Sequence, residues 1–218
     1  DGPTHHGVYD LTYLRMIPGM TLMVPQNGAE LKKMIDFSYH HESGPIAIRY
    51  PRGNTSSLDE SEVPPIELGK AQLIQEGTDI VLLAVGVMVD SALETAKVLE
   101  KAGYSVAVVN ARFVKPLDND LILKFACSSS MVVTMEENTI HGGFGSAVLE
   151  LLNVSENSTP TLSFGIPDRF IAQGSPEEQR RDAGLSAEHM LNNIHERLKQ
   201  IRIPVRKKSI KLTRKKAS

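Results

Sequence analysis

The most informative stretch of the sequence is residues 79–111, DIVLLAVGVMVDSALETAKVLEKAGYSVAVVNA. The segment opens and closes with continuous apolar runs, DIVLLAV and SVAVVNA, which are typical of parallel strands buried on both faces. Between them, SALETAKVLEKAG places Leu93, Ala96 and Leu99 on one helical face and ends at Gly103, a residue type that commonly terminates helices. The segment therefore predicts a strand–helix–strand unit whose two strands are parallel.

The segments on either side continue the alternation. Strands are predicted at TLMVPQ, PIAIRYP, MVVTM and TLSFG, and helices at NDLILKFA and SAVLELL. A last helix begins near Ser186 and must end before Pro204. Its buried face is predicted to contain Met190, Ile194, Leu198 and Ile201. The alternation favours an α/β fold built on a small doubly wound sheet.

The segment NGAELKKMIDFSYHH predicts a helix near the start of the chain. Asn27 is the expected N-cap, and Glu30, three residues later, is the expected partner in a capping box. One face of this helix is predicted to carry Leu31, Met34, Ile35 and Ser38.

The cysteine content and the apolar runs of the sequence bear on the cellular compartment in which the protein is expected. Cys127, the one cysteine among 218 residues, falls in a predicted helix and is expected to be a small core residue. A single thiol offers no disulfide framework, so a cytosolic location is the default. No apolar run approaches the roughly 20 residues of a membrane helix, and the start does not resemble a signal peptide.

The charges are unevenly distributed. Eight Lys and Arg residues and no acidic residue follow residue 201, which leaves 16 basic and 26 acidic side chains, a net charge of −10, for residues 1–201. Such a tail can indicate nucleic-acid or membrane contact, or it can be a solvated extension. The solvated extension is favoured, because the tail has no aromatic residues for base stacking and few large apolar ones.

The segment EENTIHGGFGSAV follows a strand and opens a helix, as dinucleotide-binding loops do. Its spacing does not fit, since Val148 stands where a third glycine or alanine is needed. The glycines are better explained by a tight turn and close packing. Glu136 and Glu137 could form an acid–base pair, but adjacent strand residues point to opposite faces. His141 is interpreted as a structural or solvated loop residue.

Two segments remain as candidate functional elements. Arg49 and Arg52 in RYPRG flank the end of a predicted strand, where ligands collect in open α/β sheets. The planar fork of an arginine side chain suits a phosphate there. A structural salt bridge is the alternative for Arg52. The opening loop, DGPTHH, either has no function or forms one wall of a site whose other walls lie outside this chain.

Several motifs together carry a family resemblance. DGPTHHGVYDLTYLRMIPGM, GPIAIRYPRGN, ARFVKPLD, EENTIHGGFGSAV and GIPDRFIAQGS occur in this order, between residue 1 and about residue 200. This combination resembles the 1-deoxy-D-xylulose-5-phosphate synthase family, a transketolase-like group that depends on thiamine diphosphate. The resemblance implies that residues 1–57 end a pyrimidine-binding domain, 58–65 form a linker and 66–201 form a transketolase C-terminal domain, followed by the basic tail 202–218.

The resemblance also implies an activity. Enzymes of this family condense pyruvate with glyceraldehyde 3-phosphate, lose carbon dioxide, and use thiamine diphosphate and Mg²⁺. A G-D-G motif and an activating glutamate hold and activate the cofactor in the family. Neither is found in this chain, so no cofactor is expected on the chain alone. Missing N-terminal domains or a separate subunit would supply them, and a homodimer is expected.

Three residues acquire roles from the resemblance. His5 matches the family's substrate-facing histidine, Asp1 an aspartate near the substrate hydroxyls, and Arg52 the arginine that holds the glyceraldehyde phosphate. His6 is given no role. Three hypotheses follow: an inert C-terminal fragment, a separately encoded subunit that completes the site with an N-terminal partner, or a non-enzymatic interaction module.

Overall fold

The computed structural model describes residues 2–55 and 60–201. In chain order the helices and strands are α1 (Asp10–Arg15), β1 (Thr21–Met23), α2 (Gly28–Tyr39), β2 (Ile46–Ile48), β3 (Gln72–Gln75), β4 (Ile80–Ala84), α3 (Met88–Lys101), β5 (Val106–Asn110), β6 (Phe113–Lys115), α4 (Asn119–Ser128), β7 (Met131–Thr139), α5 (Phe144–Val154), β8 (Thr161–Ile166), α6 (Pro176–Asp182) and α7 (Ala187–Ile201). A short 3-10 helix occupies Glu60–Glu62.

Five strands form the larger sheet, in the order β3-β5-β4-β7-β8. The strands β5, β4, β7 and β8 are parallel, and β3 is antiparallel to β5 at one edge. Every residue of β4 and β5 is buried, because helices cover both faces of the sheet. The predicted strand–helix–strand unit and the doubly wound α/β fold are confirmed.

Alternate residues of β4 enter two separate cores. Ile80 and Leu82 pack in the layer that α3 and α7 cover, whereas Val81 and Leu83 pack in the layer of α4 and α5. The face of α7 follows the prediction, with three residues buried and the last one, Ile201, partly buried.

A second sheet has three strands in the order β2-β1-β6. β1 is parallel to β2 and antiparallel to β6. Since β6 follows β5 in the chain, the second half of the protein supplies a strand to the sheet of the first half. The sequence analysis predicted neither β6 nor β3, because three residues are too few to show a period and β3 is only half-buried.

Helix α2 departs from its prediction in two respects. The Asn27 side chain accepts from the Glu30 N–H at 2.9 Å, as expected of an N-cap, but the capping box is wrong. The Glu30 carboxylate accepts from the Gln26 N–H at 2.8 Å and turns into the interior. Ile35 is 53% exposed, because only a narrow stripe of α2 centred on Met34 packs against the small sheet.

The expectation of a buried Cys127 is also wrong. The buried stripe of α4 contains Ile122, Phe125 and Ala126, so the next position points outward. Cys127 is exposed, and its sulfur lies 3.3 Å from Nδ2 of Asn157.

The predicted linker and tail fall partly outside the described residues. Residues 58 and 59 of the linker and the whole basic tail, 202–218, lie outside them. The described end of the linker is held in place, since Val63 is buried and its carbonyl accepts from the Lys33 ammonium.

A buried ion pair joins the two halves of the chain. Arg112 Nε donates to Glu30 Oε1 at 2.7 Å, and the two side chains are 3% and 0% exposed. Asn110 Nδ2 donates to both oxygens of the same carboxylate, at 3.0 and 3.1 Å. The guanidinium also donates to the carbonyls of Pro64 and Pro65 and to the side-chain oxygen of Gln72. Both charges are therefore compensated, as burial requires.

We expect Arg112→Met to lower the free energy of unfolding by about 3–5 kcal/mol, because it leaves the Glu30 carboxylate buried without its counter-charge. Methionine keeps an unbranched apolar side chain. It is also a non-glycine residue like arginine, so the cost of the positive φ of 57° at this position is unchanged. Urea denaturation measures the change. The control is Lys32→Met on α2, the helix that carries Glu30; it removes an exposed ion pair with Glu60 and should leave stability nearly unchanged. Equal effects of the two substitutions would contradict the expectation.

The glycine-rich segment makes room for a carboxylate. Glu136 accepts from the backbone N–H groups of Phe144 and Gly145 at 2.7 and 2.8 Å. A Cβ on Gly143 would overlap this carboxylate, and a Cβ on Gly145 would lie 2.7 Å from Thr134 Oγ1. The interpretation of close packing is confirmed, and the α5 N-terminus is filled from within the protein.

Burial raises the pKa of the Glu136 carboxyl from 4.5 to about 7, against the opposing effect of the two amides. A carboxyl whose pKa is raised by folding stabilises the protein below its unfolded pKa, and this contribution is lost as pH rises through the folded value. Relative to Glu136→Gln, the wild-type protein should lose up to about 3 kcal/mol of unfolding free energy between pH 4.5 and 7. Thermal and urea unfolding across this range measure the difference. The opposite slope would show that the helix amides keep the carboxyl ionised.

Candidate functional site

An open cleft of about 1230 Å³ lies where the two halves of the chain meet. The first half contributes residues 5–8 of the opening loop and residues 49–54, which directly follow β2. The second half contributes the start of α3, the helix α6 and the start of α7. The cleft therefore adjoins the carboxyl ends of parallel strands, where ligands bind in α/β folds.

The structure brings two of the three predicted site residues to this cleft. His5 is exposed on the opening loop, with Nδ1 at 2.8 Å from Thr4 Oγ1 and its backbone N–H bonded to the Gly2 carbonyl. Arg52 is exposed on the segment after β2, and both residues line the cleft. Asp1 lies outside the described residues.

Arg49 is bonded within the wall of the cleft. Its side chain is only 8% exposed and lies between two carboxylates. Nε is 3.5 Å from Asp10 Oδ2, Nη1 is 3.8 Å from Glu137 Oε2, and Nη2 donates to the Glu137 carbonyl at 2.7 Å. Burial raises the pKa of Asp10, and the charge of Arg49 opposes that shift. Arg49 is thus part of the cleft wall, and Arg52 is the exposed one of the two arginines.

Glu136 and Glu137 point to opposite faces, as predicted. Glu136 lies under α5, whereas Glu137 lines the cleft and pairs with Arg180 of α6, Nη1 to Oε1, at 3.0 Å. Sequence reasoning missed the pair because it did not predict α6. The signal was present, since Ser175 and Glu178 form a capping box with Pro176 at the first helical position.

His6 holds the opening loop against the second half. Its Nε2 lies 3.0 Å from the Ile171 carbonyl oxygen, and its ring is 5.9 Å from the ring of Phe170. Gly2 has φ 77°, and a Cβ there would lie 3.2 Å from Cβ of Gln173. His6, to which sequence reasoning gave no role, therefore packs the loop in place beside His5.

The described residues hold no grouping of three or more His, Cys, Asp and Glu side chains that could bind a metal ion. None of the helices in residues 2–55 and 60–201 combines the length and apolarity that a membrane crossing requires.

Two family models match the chain. The model of the transketolase pyrimidine-binding domain covers residues 1–57, and that of the transketolase C-terminal domain covers residues 69–190. Among curated proteins, 1-deoxy-D-xylulose-5-phosphate synthase of Thermosynechococcus vestitus is 47% identical over 196 residues, 89% of this chain and 31% of that protein. 1-Deoxy-D-xylulose-5-phosphate synthase 1 of Geobacter sulfurreducens is 47% identical over 189 residues, 86% of this chain and 30% of that protein. The chain thus spans less than a third of these relatives.

Solved structures share the fold. A structure described as a split gene transketolase, inactive beta4 tetramer, has a TM-score of 0.80 and 30% identity, and the match covers 90% of this chain and 62% of the other. Transketolase from Campylobacter jejuni has a TM-score of 0.71 at 23% identity, over 90% of this chain and 29% of the other. The resemblance drawn from the motifs is confirmed: because the C-terminal-domain model alone covers more than half of the 218 residues, the chain belongs to the transketolase family.

Proposed function

We propose that this chain is the C-terminal part of a 1-deoxy-D-xylulose-5-phosphate synthase, which condenses pyruvate with glyceraldehyde 3-phosphate and releases carbon dioxide. The observation that carries the proposal is that His5 and Arg52, from separate loops, line one cleft. The curated relatives that match nine-tenths of the chain bear the name of this synthase.

Each site residue is assigned one task in the proposal. The Arg52 guanidinium binds the phosphate of glyceraldehyde 3-phosphate through paired charge-assisted hydrogen bonds. The His5 imidazole moves a proton at the substrate oxygen, since histidine can both accept and donate near neutral pH. Asp1 is assigned to the substrate hydroxyls by resemblance alone.

The chain's own residues do not fit thiamine diphosphate and Mg²⁺. The sequence contains no G-D-G motif, and the described residues lack a metal-binding cluster. We therefore assign the cofactor and the metal to the remainder of the enzyme and propose that the chain alone is inactive. We also propose that the enzyme is a homodimer in the cytoplasm, or in the plastid stroma if the source organism has plastids. The pyrimidine-binding domain is proposed to end at residue 57 and the C-terminal domain to begin at residue 66.

A second arrangement has one observation in its favour. The match to the split gene transketolase covers 90% of this chain. In this second arrangement, the chain is a separately encoded subunit that completes its site with an N-terminal partner. The reading frame upstream of Asp1 distinguishes the two arrangements. A frame that continues into a pyrimidine-binding domain supports one long enzyme, and a start codon supports a subunit.

In the full-length enzyme, Arg52→Ala should raise the KM for glyceraldehyde 3-phosphate about ten- to a hundredfold and leave the KM for pyruvate nearly unchanged. Only the aldehyde substrate carries a phosphate, and one charge-assisted bidentate contact contributes roughly 1.5–3 kcal/mol. Steady-state kinetics with each substrate varied in turn measure the effect. Arg52→Lys should recover only part of the binding, because lysine keeps the charge but not the planar fork.

The control for Arg52 is Arg169→Ala, which removes an exposed arginine that is bonded to Asp182 and does not line the cleft. It should leave both KM values unchanged. If Arg52→Ala weakened both substrates equally, the arginine would be a scaffold residue and the phosphate assignment would be wrong.

His5→Ala should act on turnover rather than on binding. Loss of a general acid–base group lowers kcat by about 10²- to 10⁴-fold, because a proton relay matters most in the transition state. Single-turnover kinetics of the full-length enzyme separate this effect from substrate binding. His141→Ala, which changes another exposed loop histidine away from the cleft, is the matched control. Unchanged kcat in His5→Ala would remove this residue from the reaction.

A further inference from the structure

Four charged side chains from both halves of the chain form a continuous network along the cleft wall. Asp10 pairs with Arg49, Arg49 with Glu137, and Glu137 with Arg180. We propose that Glu137 and Arg180 are positioning residues, which hold the two substrate-facing loops of the first half in place from the second half. The functional consequence rests on the proposed function, whereas the mechanical one does not.

The network is largely withdrawn from water. The side chains of Arg49, Glu137 and Asp10 are 8%, 15% and 20% exposed, and that of Arg180 is 34% exposed. Ion pairs at this depth are screened less than surface pairs, and removing one partner leaves the other poorly solvated. The contacts therefore restrain the groups that they join more than exposed pairs would.

Glu137 restrains the Arg52 loop through Arg49. The Arg49 guanidinium contacts the Glu137 carboxylate and also donates to the backbone carbonyl of Glu137. The Arg49 backbone N–H donates to the Met23 carbonyl at 2.9 Å. Arg49 is thus fixed at both its backbone and the tip of its side chain. Arg52 follows three residues later, with the rigid Pro51 between them, so the position of Arg49 determines where Arg52 enters the cleft.

The same strand end restrains the His5 loop. The Thr139 N–H donates to the Val8 carbonyl at 2.7 Å, and Asp10, which begins α1, binds Arg49. His5 lies three residues before Val8 and five before Asp10. Arg180 completes the network by tying Glu137 to α6 on the opposite wall. The end of β7 therefore sets the separation of His5 and Arg52.

Hydrogen–deuterium exchange on the 218-residue chain tests the mechanical part. Glu137→Gln keeps the size of the side chain and the backbone bond to Arg49 but removes the charge. Backbone amides of residues 5, 49 and 139 should exchange about tenfold faster, which is the effect of losing one charge-assisted contact. The control is Glu150→Gln, which removes a carboxylate of the second half that pairs with Arg15 of the first half away from the cleft. It should leave these three amides unchanged.

Kinetics of the full-length enzyme test the functional part. Glu137→Gln and Arg180→Gln should each raise the KM for glyceraldehyde 3-phosphate about three- to tenfold, with a smaller change in kcat, because a displaced arginine weakens phosphate binding. The double variant should be no worse than Glu137→Gln alone, since the ion pair that Arg180→Gln removes is already lost in Glu137→Gln. Arg180→Lys should restore part of the effect.

The outcomes separate the two proposals. Unchanged exchange in Glu137→Gln, or exchange that rises equally in the buried strands β4 and β5, would overturn the positioning inference whatever Arg52 does. If Arg52→Ala raises the KM for glyceraldehyde 3-phosphate but Glu137→Gln leaves that KM unchanged, the positioning inference is also overturned, even where Glu137→Gln speeds hydrogen exchange. If Arg52→Ala has no phosphate-specific effect, the proposed function fails, and the exchange experiment alone decides whether the network positions the loops.

Discussion

The carboxylate of Glu30 and the guanidinium of Arg112 are both removed from water, and each supplies the counter-charge that the other needs in the interior. This requirement fixes much of the molecule. Glu30 belongs to α2, and Arg112 stands at the turn between β5 and β6, so the pair aligns the small sheet with the large one. The strand β6 then pairs with β1, and β1 with β2, whose end leads into the Arg52 segment. The wall of the cleft thus depends on a contact in the interior.

Polar groups at the end of β7 solve a second problem, which is how to join a loop without regular structure to a packed domain. Of the two successive carboxylates there, Glu136 lies under α5 and Glu137 lies in the cleft wall. Thr139 at the same strand end bonds the opening loop, and Asn138 donates to the Thr12 hydroxyl on α1. Because each bond is directional, the loop has a defined position although few of its side chains are buried.

The sequence predicted the centre of the fold better than its edges. The apolar runs of β4 and β5 identify parallel strands because both faces are covered, which is a local signal. Strands β3 and β6 were missed because one is half-buried and the other has three residues. Glu30 was misassigned for a different reason: its partner is 82 positions away, and only the assembled fold shows that they meet.

The candidate site divides in the same way. Motif resemblance identified His5 and Arg52, and the fold does place both at one cleft. Arg49 looked equivalent to Arg52 in the sequence because their local contexts are alike, yet Asp10 and Glu137 occupy it. The distinction between the two arginines arises from tertiary contacts, which no short motif encodes. The pairing of Glu137 with Arg180 is a tertiary contact of the same kind.

Strand β6 belongs to the second half of the chain but pairs with β1 of the first half, and this pairing has a consequence for protein engineering and for the evolution of such chains. A cut placed between the two matched family domains would leave β1 with an open edge, and exposed edges promote aggregation. Chimaeras that combine halves from different relatives would need a compatible strand pair as well as a compatible buried charge pair. Recombination within this family should therefore succeed more often when the breakpoint keeps residues 21–23 and 113–115 from the same parent.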